Sequence, residues 1–147
     1  MRSHRDVALK LFVVLSRAAT AVGRHSDADI ARHGLTPGEF AILEVLYHRG
    51  PLLLGEIQRK ILASSGGVTY LVDRLEEQGH VERRDSPTDR RARIAALTPK
   101  GRRLIASIFP EHAAALETAL AGLTLEEKRQ AIDLLRKLGT HAAEHAP

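Results

Sequence analysis

"VTYLVDRLEEQGHVERRDSPTDRRARIAALTPKG", residues 68–101, changes its periodicity three times without a break. Val68, Leu71, Val72 and Leu75 stand at i, i+3, i+4 and i+7, an apolar stripe that predicts a helix, and Gly79 closes it. "HVERRD" and "RARIAAL" then read as two strands around the polar tip "DSPTDR", although alanine is a poor strand former. Thr98-Pro99 opens the next helix, with Thr as cap and Pro at the first helical position.

Charge is concentrated in the same stretch. Residues 83–103 hold eight cations (Arg83, Arg84, Arg90, Arg91, Arg93, Lys100, Arg102 and Arg103) against Asp85 and Asp89, a net +6. Since the whole chain carries +4, the remainder is mildly acidic at −2. A basic segment on an acidic body points to a local polyanion contact, with a solvated charged hairpin as the alternative. A turn-tipped strand pair projects Arg90 and Arg91 beyond the body, where arginine suits a narrow minor groove. Arg84 and Arg93 flank them. Asp89 would repel a phosphate unless it pairs with a neighbouring arginine and fixes the hairpin's shape; Asp85 has the same option.

Helical signals lie on both sides. A first helix runs from near residue 4 to Arg32 and stops at Gly34. "TPGE", residues 36–39, is a capping box that starts a second helix, with Phe40, Leu43, Leu46 and Tyr47 inward and Gly50-Pro51 at its end. "LLL" (52–54) is a very short strand and "GEIQRKIL" (55–62) a short third helix with Ile57 and Ile61 inward. Short helix, tight turn and second helix together make a helix-turn-helix. Beyond residue 98, Leu104, Ile105 and Ile108 precede Pro110, which is expected to kink or break that helix. "TLEE" (124–127) caps a last helix bearing Ile132, Leu135 and Leu138. The expected fold is mainly α with a two- to three-stranded β-wing and about six helices. Its parts are a dimerisation helix (1–34), a DNA-binding domain (35–98) and C-terminal dimerisation helices (99–147).

The helix over 66–79 is the recognition-helix candidate. It begins Ser64-Ser65-Gly66-Gly67, and two glycines in a first turn cost roughly 1 kcal/mol each relative to alanine. Small residues there let a helix N-terminus approach a phosphate closely. Ser64, Ser65 and Thr69 can donate to phosphates or base edges, with Gly67 allowing the approach. Tyr70 can stack on sugar, and Arg74 is long enough for the backbone or a guanine edge. An ordinary amphipathic helix with a poor cap is the competing reading.

The combination resembles the MarR family of bacterial transcription regulators. The family's "L-x-x-x-G-x-V-x-R", "D-x-x-D-R-R" and "L-T-x-x-G" fall on Leu75, Gly79, Val81 and Arg83; on Asp85, Asp89, Arg90 and Arg91; and on Leu97, Thr98 and Gly101. The helical order on both sides also fits, so the resemblance spans nearly all 147 residues. It implies an intertwined homodimer on double-stranded palindromic DNA. It further implies Arg91, held by Asp89, in the minor groove, with Arg90 at the backbone, and a repressor released by a small organic ligand. Phe12, Ser16 and Arg17 on helix one and Phe40 and Tyr47 on helix two are the candidate cleft residues, with plain core packing as the alternative for the aromatics.

Other features narrow the possibilities. No cysteine excludes the family's thiol-based peroxide sensing, and no tryptophan removes a residue associated with its urate-responsive branch. A bend at Pro110 would alter half-site spacing, normally about 34–36 Å. His141 and His145 flank Glu144 at i, i+4, and His48 and His112, with Glu44 or Glu111, could approach each other from different helices, but no metal site and no cofactor is expected. The N-terminal "MRSHRDVALKLFVVLSRAATA" resembles a signal peptide, yet Val7, Leu11, Val14, Leu15, Ala18 and Val22 follow helical spacing, so it is read as a helix of a cytoplasmic protein. Nothing is long enough to span a membrane. An enzyme is disfavoured, since no nucleophile, base and orienter cluster emerges. An architectural DNA-binding protein without an effector is the rival within DNA binding, and a module docking an acidic protein partner the rival outside it.

Overall fold

The computed structural model describes residues 3–61 and 65–147, apart from the side chains of residues 65 and 66. Its helices are α1 (His4–Arg32), α2 (Pro37–Arg49), α3 (Leu54–Ile61), α4 (Ser65–Glu77), α5 (Pro99–Ala119) and α6 (Leu125–Glu144). Between them lie β1 (Leu52–Leu53), β2 (Val81–Asp85) and β3 (Arg93–Leu97). The strands form one antiparallel sheet in the order β1-β3-β2, with Leu52 opposite Ala95 and Arg83 opposite Ala95 on the other side. This is a winged helix-turn-helix with three strands.

The caps form as their residue types require. Thr36 Oγ1 accepts from the Glu39 N–H at 3.2 Å, and Glu39 Oε1 accepts from the Thr36 N–H at 3.2 Å, the two halves of the capping box. Thr124 and Glu127 repeat the arrangement at α6. At the end of α4, Gly79 has φ 80°; its N–H donates to the Glu76 carbonyl and the His80 N–H to that of Leu75. This left-handed turn satisfies the last carbonyls of α4 and sends the chain directly into β2.

The core gathers Ile42, Leu43, Leu46, Ile57, Val68, Val72, Leu75, Val81, Ile105 and Ile108, all essentially inaccessible. Burial of Ala95 and Ala96 explains the alanines in β3: small side chains let α2 and α5 pack close to the strand, which outweighs their weak strand preference. Tyr47, expected on the inner face of α2, is only half-buried, and Ile42 takes a core place.

Pro110 does not break its helix. α5 runs continuously from Pro99 to Ala119 with Pro110 inside it. Pro110 and Ala106, whose carbonyl loses its i+4 donor, both face solvent, so water can take that carbonyl. Ile105, Ile108 and His112 anchor the opposite face of the same turns in the core.

Beneath that segment, His112 Nδ1 lies 3.1 Å from Asp29 Oδ2, both side chains being buried, and the His112 ring packs 4.6 Å from that of Phe40. Arg32 donates to the other Asp29 oxygen at 3.4 Å. A buried carboxylate thus finds partners from α1 and α5, as burial demands. The outer faces are less covered. α6 buries no residue, and Ile132, Leu134, Leu135 and Leu138 on it stay exposed, as do Val7, Leu11, Phe12 and Val14 on α1. Among the described residues no helix is long and apolar enough to cross a membrane.

Candidate nucleic-acid interface

Three elements present the cationic and polar groups. α4 offers Thr69, Tyr70 and Arg74, all exposed. The Arg74 guanidinium lies over the Tyr70 ring, 5.9 Å from its centroid, with Nη1 3.5 Å from the hydroxyl. That hydroxyl bond is the main influence holding the Arg74 guanidinium above its ordinary pKa. The pair is therefore pre-oriented on the outer face of the helix. Ser64 lies outside the described residues, as does the side chain of Ser65.

The wing tip is fixed by its own short polar residues. Ser86 Oγ accepts from the N–H groups of Thr88 and Asp89, each at 3.3 Å. Asp89 Oδ1 accepts the main-chain N–H of Arg91 at 2.9 Å, and the Asp89 carbonyl accepts from Ala92. Asp89 was expected to pair with a neighbouring arginine, and it does hold Arg91, though not by the guanidinium. It binds the arginine's backbone instead, because an aspartate two residues upstream in a tight turn reaches that N–H first. The guanidiniums of Arg90 and Arg91 consequently carry no ion pair among the described residues, and both are exposed. Asp85 behaves as expected, pairing with Arg93 at 2.9 Å, and Arg84 Nε donates to Glu82 at 2.7 Å.

The root of the wing is held from both sides. Arg83 bridges to Asp73 and Glu76 on α4. At the other strand's end, Thr98 Oγ1 donates to the Gly79 carbonyl at 2.6 Å and accepts from the Gly101 N–H at 3.0 Å. Lys100 Nζ donates to the Gln78 carbonyl at 2.8 Å. The motif residues Gly79, Arg83, Thr98 and Gly101 are thus one clamp joining α4, the wing and α5. His80 sits in that clamp, and burial, reinforced by the Lys100 charge, pushes its imidazole pKa down.

Sequence reading missed Arg59. It stands on α3 opposite the inward Ile57 and Ile61, and lines an open groove with Arg91, Arg93 and the start of α3. Its position off the apolar face was the available signal, but nothing in the sequence placed it beside the wing.

The cleft candidates fall in different surroundings. Phe12 is 67% exposed, whereas Phe40 is 4% exposed and packed on His112. Ser16 and Arg17 line a shallow groove on α1 with Thr20, Ala21 and Arg24. Tyr47 lies beneath the Arg102 guanidinium at 5.8 Å and beside His48. A single chain does not bring the five together. Among the histidines, His48 packs on Phe109, and His141 stacks on His145 at 4.3 Å. No group of three or more His, Asp or Glu among the described residues could hold a metal ion.

The sequence pattern of the MarR family matches residues 33–92. Over 139 residues the chain is 44% identical to the HTH-type transcriptional regulator MhqR of Bacillus subtilis, an alignment covering 95% of this chain and 96% of that protein. The chain belongs to the MarR family. As a MarR-family member it is a DNA-binding transcription regulator by kinship, and its winged fold matches solved relatives. Sco3205 of Streptomyces coelicolor, a MarR family regulator solved in complex with DNA, superimposes with a TM-score of 0.79 at 24% identity, covering 95% of this chain and 88% of that one. BpsR of Bordetella bronchiseptica, whose DNA binding is regulated by 6-hydroxynicotinic acid, gives a TM-score of 0.77 at 25% identity, covering 86% and 90%.

Proposed function

We propose that this MarR-family chain acts as a homodimeric repressor of a palindromic operator and leaves it when a small organic ligand binds. The observation that carries the reading is the wing tip: two exposed arginines without ion pairs among the described residues, the second held at its backbone by Asp89. In this reading Arg91 enters the minor groove, where negative potential is strongest, and Arg90 contacts the backbone. Arg84 and Arg93, paired with Glu82 and Asp85, flank them on the wing strands and orient the hairpin. Gly67, Thr69, Tyr70 and Arg74, with Ser64 and Ser65 ahead of them, meet the major groove and its flanking phosphates.

The uncovered apolar faces of α1 and α6 support dimerisation. Contiguous exposed apolar surface of this kind is characteristic of an interface, and a second copy is the partner that covers both faces at once. The effector enters between the stem helices and the DNA-binding domain, walled by Phe12, Ser16 and Arg17 of α1 and by Tyr47 of α2, with Phe40 packed in the core behind them. Regulation of BpsR by an aromatic acid supports an organic effector of that size. The protein operates without a cofactor in the cytoplasm.

Fluorescence anisotropy on the DNA upstream of its own coding sequence, against scrambled DNA at several salt concentrations, tests the proposal. A preference of about a hundredfold or more is expected of a specific regulator. Equal, steeply salt-dependent binding to both would instead assign an architectural role. Sedimentation should give a dimer; a monomer at micromolar concentration would overturn the stem assignment.

A further inference from the structure

Arg83 belongs by sequence to the basic wing, yet its guanidinium turns back onto the recognition helix. Its side chain is 20% exposed. Nη2 donates to Asp73 Oδ1 at 2.6 Å and Nη1 to Glu76 Oε1 at 3.0 Å, while the Arg83 main-chain N–H donates to Glu76 Oε2 at 3.0 Å. Asp73 and Glu76 are three residues apart on α4 and so share a face. Three bonds therefore tie the middle of β2 to the helix that meets DNA.

Two consequences follow from charge and shape. Those carboxylates stand on the element nearest the polyanion, and left alone they would repel it. Arginine's planar fork also reaches two carboxylates at once, which the point charge of lysine does not. We infer that Arg83 is a positioning residue for DNA binding: it fixes the wing against α4 and offsets one of the two negative charges of Asp73 and Glu76 without itself touching a phosphate. The inference rests on the DNA-binding reading above.

Full-length Arg83→Gln, Arg83→Lys and the triple variant Arg83→Gln with Asp73→Asn and Glu76→Gln test it, beside the native protein. Anisotropy is read against salt, and amide hydrogen exchange is read on the DNA-free protein. Arg83→Gln is expected to lose about tenfold or more in affinity with an unchanged salt slope, Arg83→Lys to recover only part, and the triple variant to recover most of it. Exchange should quicken in residues 81–85 and the last turn of α4. A slope reduced by about 0.9, the mark of one lost phosphate contact, or unchanged affinity in Arg83→Gln overturns the inference. If the native protein fails to bind, the DNA reading is what fails, and exchange still decides on the fork: unaltered protection in Arg83→Gln overturns it, faster exchange upholds it.

Discussion

Gly101 offers the sharpest test of how α5 is seated. An added Cβ there would lie 1.9 Å from the His80 carbonyl oxygen and 2.8 Å from its carbon, both backbone atoms that cannot rotate away. Restoring an ordinary C···O contact of about 3.3 Å requires the two segments to part by about 1.4 Å from the 1.9 Å approach. That displacement breaks the Thr98 N–H bond to His80 O at 3.1 Å and the Thr98 Oγ1 bond to Gly79 O at 2.6 Å. Two hydrogen bonds are worth about 1 kcal/mol each, and overpacking adds about 1–3 kcal/mol. Alanine returns about 1 kcal/mol through helix propensity. Gly101→Ala is therefore expected to destabilise by about 2–4 kcal/mol, or roughly 4–16 °C in Tm for a domain of this size. Thermal and denaturant unfolding at fixed protein concentration provide the assay. Gly23→Ala, in α1 with open space around the new methyl, is the control and should be neutral or slightly stabilising. A Gly101→Ala protein as stable as the native one would refute the proposed seating.

Three further outcomes concern the wing and its root. Arg91→Ala should weaken DNA binding and lower the salt slope by about 1, as measured by anisotropy; an unchanged slope would remove Arg91 from the interface. Asp89→Ala deletes a negative charge yet should also weaken binding, by up to about tenfold, because the Arg91 N–H loses its acceptor. Tighter binding would show that simple charge balance outweighs tip geometry. His80 has a folded-state pKa lowered by burial and by Lys100, so the unfolded chain binds more protons below its ordinary value. The stability is complete above that value, near pH 6.5, and falls as pH drops toward the folded-state value. His80→Gln should flatten the decline in denaturation midpoint as pH falls below about 6.5, and an identical pH profile would count against it.

Much of the fold was legible because it is written in short-range signals. Thr36-Pro37-Gly38-Glu39, Thr124 with Glu127, and Gly79 each act within four residues, and each forms the cap or turn its chemistry requires. Pro110 misled because a proline's effect depends on where its freed carbonyl points; the Leu104, Ile105 and Ile108 stripe leaves both Ala106 and Pro110 on the solvent side, where water replaces the lost donor. Ile42 was passed over because α2 is buried over more of its circumference than a single stripe suggests. The wing residues were readable as a group but not by role. Whether Asp89 meets a guanidinium or an N–H, and whether Arg83 faces outward or toward α4, depends on turn geometry and on Asp73 and Glu76 arriving from a separate element. Arg59 joins the site only through the packing of α3 against the sheet, a contact with no local signature.

That division of roles changes what the basic segment does. A net +6 over residues 83–103 suggests a uniformly positive hairpin. In three dimensions Arg83 is taken up by Asp73 and Glu76, Arg84 by Glu82, and Arg93 by Asp85. Exposed pairs of this kind add little stability, but they orient the side chains and cancel charge along the strands. Lys100 spends its donor on a neutral carbonyl, and Arg102 lies over Tyr47 near the body of the domain. Arg90 and Arg91 stand apart at the tip, beyond the last strand pair. A wing whose strand arginines are paired and whose tip arginines are not places its field at the tip, and a narrow groove selects for that arrangement more than for total charge.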